Sequence, residues 1–234
     1  MKRRDFVRRT VAVGAAVAAG AEVIVGQALD ASESASIREP FSVDFAPHFG
    51  MFRHHGGGDL MGELRFMAEQ GFRSLEDNEM RNRPVAEQEQ IANEMSRLGM
   101  RMGVFVAHTI HWTEPNLASG NADKRAEFLE EIRASVEVAK RSNAKWMTVV
   151  PGHVDLRLHP DYQTANVVET LKKASAILEP HDIIMVLEPL NPRNHPGLFL
   201  KGIPQAFQIC KAVDSPSCKI LDDLYHQQIT EGNL

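Results

Sequence analysis

Two acidic residues near the end of the chain each follow a short apolar run that reads as a buried strand. Glu188 closes Ile183-Ile184-Met185-Val186-Leu187, and Asp223 closes Cys218-Lys219-Ile220-Leu221-Asp222. Adjacent parallel strands are separated by about 5 Å, so two such carboxylates fall within a few ångströms of each other if the runs are neighbours. A pair that close repels unless a cation lies between, and hard oxygen donors suit Mg²⁺ or Mn²⁺. Taken singly, each acid has a plainer reading as a helix cap or as half of an ion pair at a rim.

Other polar residues stand at the ends of apolar runs. Glu76 follows Phe72-Arg73-Ser74-Leu75, His108 and His111 follow the run from Arg101, and His153 follows Pro151-Gly152. His226 lies three residues beyond Asp223. A histidine after a strand is ordinarily a structural hydrogen-bonder, but several around one mouth would line a polar pocket. His108, His153 and His226 are the candidates for touching a substrate. His54 and His55 precede Gly56-Gly57-Gly58 in an early loop suited to a lid. Adjacent histidines point apart, so they do not share a metal. Trp112 reads either as an apolar wall for a small sugar-like ligand or as core.

The elements that would place these residues follow a regular alternation from Pro40 onward. Strands are expected at 41–46, 72–76, 101–108, 146–150, 183–187 and 218–221. Helices are expected at 60–70, 84–98, 123–142, 166–178 and 204–212, with Gly71 and Gly99 as stops and Pro84 near a start. The segment from Asp123 to Ser142 carries Phe128, Ile132, Val136 and Ala139 at three-to-four spacing, the signature of an amphipathic helix. One strand per βα unit implies parallel strands joined by helices. Two architectures fit: a (β/α)8 barrel cut after its sixth strand, or a six-stranded doubly wound sheet. His54-His55-Gly56-Gly57-Gly58 lacks the spacing of a dinucleotide-binding turn, which favours the barrel. In a barrel all the loops after strands open on one face, the face of Glu188.

Leu187-Glu188-Pro189-Leu190-Asn191, paired with Asp223-Leu224-Tyr225-His226-Gln227-Gln228, resembles the hydroxypyruvate isomerase-like branch of the xylose isomerase-like TIM-barrel superfamily. Pro196-Gly197-Leu198-Phe199-Leu200 and Glu231-Gly232-Asn233-Leu234 fit the same branch. The resemblance implies that Glu188 is a strand-end metal ligand standing beside the carbon that loses its proton. It implies that Asp223 is a second ligand, to Mn²⁺ or Mg²⁺, and that His226 contacts substrate oxygens. It implies isomerisation or epimerisation of a small sugar or hydroxy-keto acid, in which the cation stabilises an enediolate. Members of that family draw two further ligands, one of them the opposing acid/base, from a seventh and an eighth strand. No counterpart precedes Leu234, so the chain is expected to be a partial barrel and a poor catalyst alone. Rival readings are an endonuclease IV-like metal phosphodiesterase and a non-catalytic barrel remnant. An open barrel leaves room for a homo-oligomer or a complementing chain.

Composition agrees with a globular catalyst. Hydrophobic residues make up 43% and charged residues 24% of 234 positions, enough for one sizeable core. The net charge of −5 argues against nucleic acid or an anionic membrane as partner, since phosphate binding needs clustered Lys and Arg. Residues 1–35 read separately from the body at 36–234. Lys2-Arg3-Arg4-Asp5-Phe6 followed by an Ala- and Gly-rich apolar run resembles a twin-arginine export signal and is too mild for a stable membrane span. The expected location is therefore periplasmic or extracytoplasmic. Cys210 and Cys218, the two cysteines, read as buried free thiols, their eight-residue spacing giving no assurance of a disulfide.

Overall fold

A computed structural model describes residues 38–232, so the export-signal reading of residues 1–35 lies outside the described residues. The strands are β1 (Ser74–Leu75), β2 (Arg101–Met102), β3 (Trp146–Val149), β4 (Ile184–Leu187) and β5 (Cys218–Ile220). The α-helices are α1 (Leu60–Glu69), α2 (Val85–Arg97), α3 (Ala122–Ser142), α4 (Pro160–Leu178), α5 (Ile203–Val213) and α6 (Leu224–Thr230).

Every strand pair is parallel and every neighbour is the next strand in the chain. β1 pairs with β2, and β3, β4 and β5 form a second ladder. A single bridge, Val106 to Thr148, joins the two, with the Ala107 N–H donating to Thr148 O and the Thr148 N–H to Phe105 O. Strand order that follows chain order without a switch is barrel order, and the doubly wound alternative falls.

Two expected strands shrink. The run 41–46 forms no strand; the chain joins the sheet only at a His48–Glu76 bridge, where the Glu76 N–H donates to Pro47 O. Pro40 and Pro47 have no N–H to offer a ladder, and Phe41, Val43 and Phe45 remain exposed. The run 101–108 pairs regularly only at Arg101–Met102, then touches its neighbours at single points. Gly103 packs directly under Leu75 O, where a side chain would crowd the backbone.

The helices follow their apolar spacing closely. In α3, Phe128, Ile132, Val136 and Ala139 are buried. The Asn121 side chain accepts from the Asp123 and Lys124 N–H groups, and Asn143 ends the helix in the left-handed conformation. α4 starts at Pro160 rather than Asn166, capped by His159, because proline is favoured in a first turn. α6 was not expected: it is the segment of the Asp223–His226 motif itself. The main core packs Met147, Met185 and Leu187 of the strands against Phe128, Ile132, Leu171 and Ile209 of the helices. A smaller cluster of Val150, Leu190 and Leu198 lies beyond the C-terminal ends of the strands.

Candidate active site

Register brings the two acids together. Val149, Leu187 and Ile220 stand in adjacent ladder positions across β3, β4 and β5. Glu188 is the next residue on its strand, and the Leu221 N–H still donates to Leu187 O before the chain turns to Asp223. Glu188, Asp223 and His226 each offer a ligand atom, and these lie within 4.8 Å of one another. They line a cavity of about 870 Å³ together with His48, Glu76, His108, Trp112 and His195.

Electrostatics single out Glu188. Burial first, then the Asp223 and Glu76 charges, push its carboxyl up to about 7. Glu76 is also raised, chiefly by burial and further by Asp223, against the lowering effect of His48, whose Nε2 lies 3.5 Å away. Three carboxylates facing one cavity are a cost in an apo protein and a natural seat for a cation.

Asp223 answers both of its sequence readings. One oxygen, Oδ1, caps α6 by accepting from the His226 N–H at 3.2 Å. The other, Oδ2, stays at the site, 3.8 Å from the His226 Nε2. Capping fixes the carboxylate in place without using up its second oxygen.

His226 is held in one tautomer. The Asn191 backbone N–H donates to its Nδ1 at 3.3 Å, and the Asn191 Nδ2 approaches the same atom at 2.6 Å. The Asn191 Oδ1 accepts from the Arg193 and Asn194 N–H groups, so the amide orientation is fixed and Nδ2 is the donor. With two donors aimed at it, Nδ1 is an acceptor, so the proton of the neutral ring sits on Nε2. Burial, the largest influence on its pKa, lowers it and favours that neutral form. Distance alone would admit His226 as a third metal donor, but a protonated Nε2 donates hydrogen bonds and does not ligate. The group therefore fits a hard cation through Glu188 and Asp223, with His226 beside them as a donor toward an oxygen.

The other candidates divide. The His108 ring reaches the cavity wall, but Nδ1 bonds Thr109 O at 2.9 Å and Nε2 accepts from the Val150 N–H at 3.2 Å. Both ring nitrogens are used by backbone, so the expectation that His108 touches substrate narrows to a contact with its ring at the cavity wall. Burial drives its pKa down to about 4, keeping it neutral. His153 is corrected further. Its Nδ1 bonds Val154 O at 2.9 Å, and Nε2 faces Gly197, where any side chain would collide with the ring. The strap after Glu188 pairs back onto His153 through Leu198 and takes it out of the cavity lining. His55 stacks on Phe66 and is not among the cavity residues.

Sequence reasoning missed His48 and His195. His195 sits between the two motif pieces around Asn191 and Pro196; its ring stacks on Trp112 at 5.1 Å and meets His226 edge-on at 5.4 Å. Trp112 is thus a wall residue rather than core. His48 lies just after the run taken for a first strand, and its register against Glu76 was the signal available.

Comparison with known proteins agrees with this architecture. Residues 64–234 match the family described as xylose isomerase-like TIM barrel. The chain is 28% identical over 138 residues to the hydroxypyruvate isomerase of Escherichia coli K12, covering 54% of this chain and 52% of that one. It is 28% identical over 138 residues to a 2-oxo-tetronate isomerase of Cupriavidus necator, covering 58% and 53%. The chain spans about half the length of the curated relatives it matches. Among solved structures, an AP endonuclease of family 2 from Brucella melitensis superposes with a TM-score of 0.69 at 24% identity, over 82% of this chain and 72% of that one. A D-psicose 3-epimerase from Clostridium cellulolyticum H10, solved with D-tagatose, gives 0.65 at 15% identity, over 82% and 67%. Identities this low speak for the fold alone. By the family match over most of its described length, the chain belongs to the xylose isomerase-like TIM-barrel family.

Proposed function

We propose that this protein is an isomerase or epimerase of a small hydroxy-carbonyl compound, of the hydroxypyruvate isomerase kind. One observation carries the reading: Glu188, raised to about 7, stands within 4.8 Å of Asp223 and His226 at the floor of an open cavity. A carboxylate that titrates near neutrality is suited both to taking and to returning a proton. The curated relatives named as isomerases support the same reading.

In this mechanism Glu188 removes the proton from the carbon beside the substrate carbonyl. Negative charge then grows on the carbonyl oxygen, and the His226 Nε2–H donates to it, its tautomer set in advance by Asn191. Preorganised donors of this kind lower the barrier because they need no rearrangement as charge develops. The stacked rings of Trp112 and His195 form part of the cavity wall against which a small substrate would pack. Glu188 and Asp223 would hold a divalent cation, Mn²⁺ or Mg²⁺, which would supply Lewis-acid stabilisation of the developing charge. The proton held on Glu188 is returned to the neighbouring carbon, either directly or after transfer to a second acid/base.

Wash-in of solvent deuterium tests the first step, since exchange at the carbon beside a carbonyl needs only one base. The full chain in D₂O with Mn²⁺ should label hydroxypyruvate faster than the Glu188→Gln variant by a factor of about 10² or more. Equal labelling by the two proteins removes Glu188 from the mechanism. Formation of isomerised product from hydroxypyruvate or small ketoses tests the complete reaction. Residues 1–35 are proposed to export the protein by the twin-arginine route, which carries proteins already folded and suits one that binds its metal before transport.

A further inference from the structure

Away from the acidic site, Cys210 on α5 and Cys218 at the start of β5 lie side by side, their Sγ atoms 3.8 Å apart. The approach is built into the backbone. Asp214 ends α5 in the left-handed conformation at φ 56°, and its N–H donates to Cys210 O. The chain then turns back at once, with the Cys218 N–H donating to Ser215 O. Cys218 is buried and Cys210 half-buried, and both face a second cavity of about 590 Å³ that also holds Lys211 and Lys219. Cys210 is thus the more accessible of the two residues and Cys218 the more sheltered.

We infer that Cys210 and Cys218 are a redox-active dithiol that an external disulfide closes into an intramolecular bond between α5 and β5. The sulfurs, 3.8 Å apart, must approach to about 2 Å, a movement of under about 2 Å that rotation about the two Cα–Cβ bonds can supply. The order of attack follows from exposure. Cys210 is the more exposed of the two, and the hydrogen bond with Cys218 and the nearby Lys219 cation lower its pKa, whereas that of Cys218 is raised. The Cys210 thiolate attacks one sulfur of the external disulfide, forms a mixed disulfide and expels a thiolate. Cys218 then loses its proton, attacks the Cys210 sulfur and expels the second thiolate. Two protein thiols are oxidised and one external disulfide is reduced to two thiols, the protons of the protein thiols ending on the two expelled sulfurs, so none is released overall. The bond would tie the root of β5, the strand that leads to Asp223, to the helix beside it. The inference does not rest on the isomerase reading, and neither outcome bears on that one.

The test uses the reduced full chain treated with oxidised glutathione, followed by intact-mass measurement and a count of free thiols under denaturing conditions. The wild type should lose both thiols and two hydrogens in mass, retain no glutathione, and unfold at a temperature several degrees higher. Cys218→Ser should keep a stable glutathione adduct on Cys210. Cys210→Ser should be modified at least about tenfold more slowly, because its remaining thiol is sheltered. A persistent adduct on the wild type, disulfide-linked dimers, or two free thiols at every oxidant ratio would each overturn the inference. The two serine variants report attack and resolution separately, so a folding defect in one leaves the other and the wild-type result decisive.

Discussion

Without divalent cations, the stability that Glu188 contributes to the fold should be lost as pH rises toward neutrality. Its carboxyl moves from an ordinary value of 4.5 up to about 7, first through burial and then through the charges of Asp223 and Glu76. A group that binds its proton more tightly in the folded state favours folding fully below its unfolded pKa. That advantage disappears as pH climbs through the folded pKa, so the window here runs from 4.5 to about 7. At 1.36 kcal/mol per pH unit, the interval is worth about 3 kcal/mol at most. Glu188 opens onto the cavity, and solvent screening should reduce this to about 1–2 kcal/mol. His108 works in the opposite sense. Burial lowers it from 6.5 to about 4, so it favours the fold above 6.5 and that support is lost as pH falls toward 4. The wild-type curve alone mixes the two effects. The useful quantity is the unfolding free energy of the wild type minus that of Glu188→Gln, in which the His108 contribution cancels. Urea denaturation of both, in chelator, should show this difference growing by about 1–2 kcal/mol in favour of the wild type from about pH 8 to about pH 5. Parallel pH profiles for the two proteins would refute the account of the acid cluster.

Four further outcomes follow from named contacts. Mn²⁺ at about 100 times its Kd should raise the unfolding free energy by about 2.7 kcal/mol, and Asp223→Asn should abolish most of this gain. Asparagine can still cap α6, so an unfolded Asp223→Asn variant would count against that cap being the residue's structural role. Asn191→Ala should let the His226 proton distribute over both ring nitrogens, seen as a change in the imidazole ¹⁵N shifts; unchanged shifts would mean that Asn191 does not set the tautomer. Ile132→Ala, which empties a fully buried position on α3, should cost about 2–5 kcal/mol in chemical denaturation. Arg3→Lys with Arg4→Lys should leave a reporter fusion in the cytoplasm, and continued export would remove the twin-arginine reading of residues 1–35.

Much of the framework was legible because it rests on period and punctuation. α1, α2, α3 and α5 begin and end within a residue or two of where apolar spacing, Pro84, Gly71 and Gly99 put them. β3 and β4 were legible as nearly continuous apolar runs, the pattern of strands buried on both faces, while β5 was legible from Cys218, Ile220 and Leu221 despite the exposed Lys219. The run 41–46 misled because alternating Phe41, Val43 and Phe45 mimic a half-buried strand, whereas the prolines beside them withhold the donors a ladder needs. α6 was hidden for a different reason. A seven-residue helix with an aromatic and amide-rich sequence carries too little periodicity to register, and its cap also reads as a metal ligand.

The site shows where a linear reading must stop. Asp223, His226 and Glu188 were visible from their positions at strand ends, because register converts strand position into proximity. What each histidine does depends on which backbone groups reach its two nitrogens, and those groups come from distant parts of the chain. His108 is silenced by Val150 and Thr109, and His153 by Val154 and by the glycine strap at 197. His226 differs in a single respect: Asn191 occupies its Nδ1 and leaves Nε2–H facing the carboxylates. One residue type in three segments that follow strands thus gives one wall residue, His108, one residue outside the cavity, His153, and one directed donor, His226, and the difference lies in hydrogen bonding that no spacing rule encodes. The donor is also tied to both acids through the chain: Asn191 follows Glu188 on the strap, and the His226 N–H is held by Asp223. Both links restrain the imidazole relative to the two carboxylates, which in the proposed reaction would keep the base and the oxygen donor at a fixed separation.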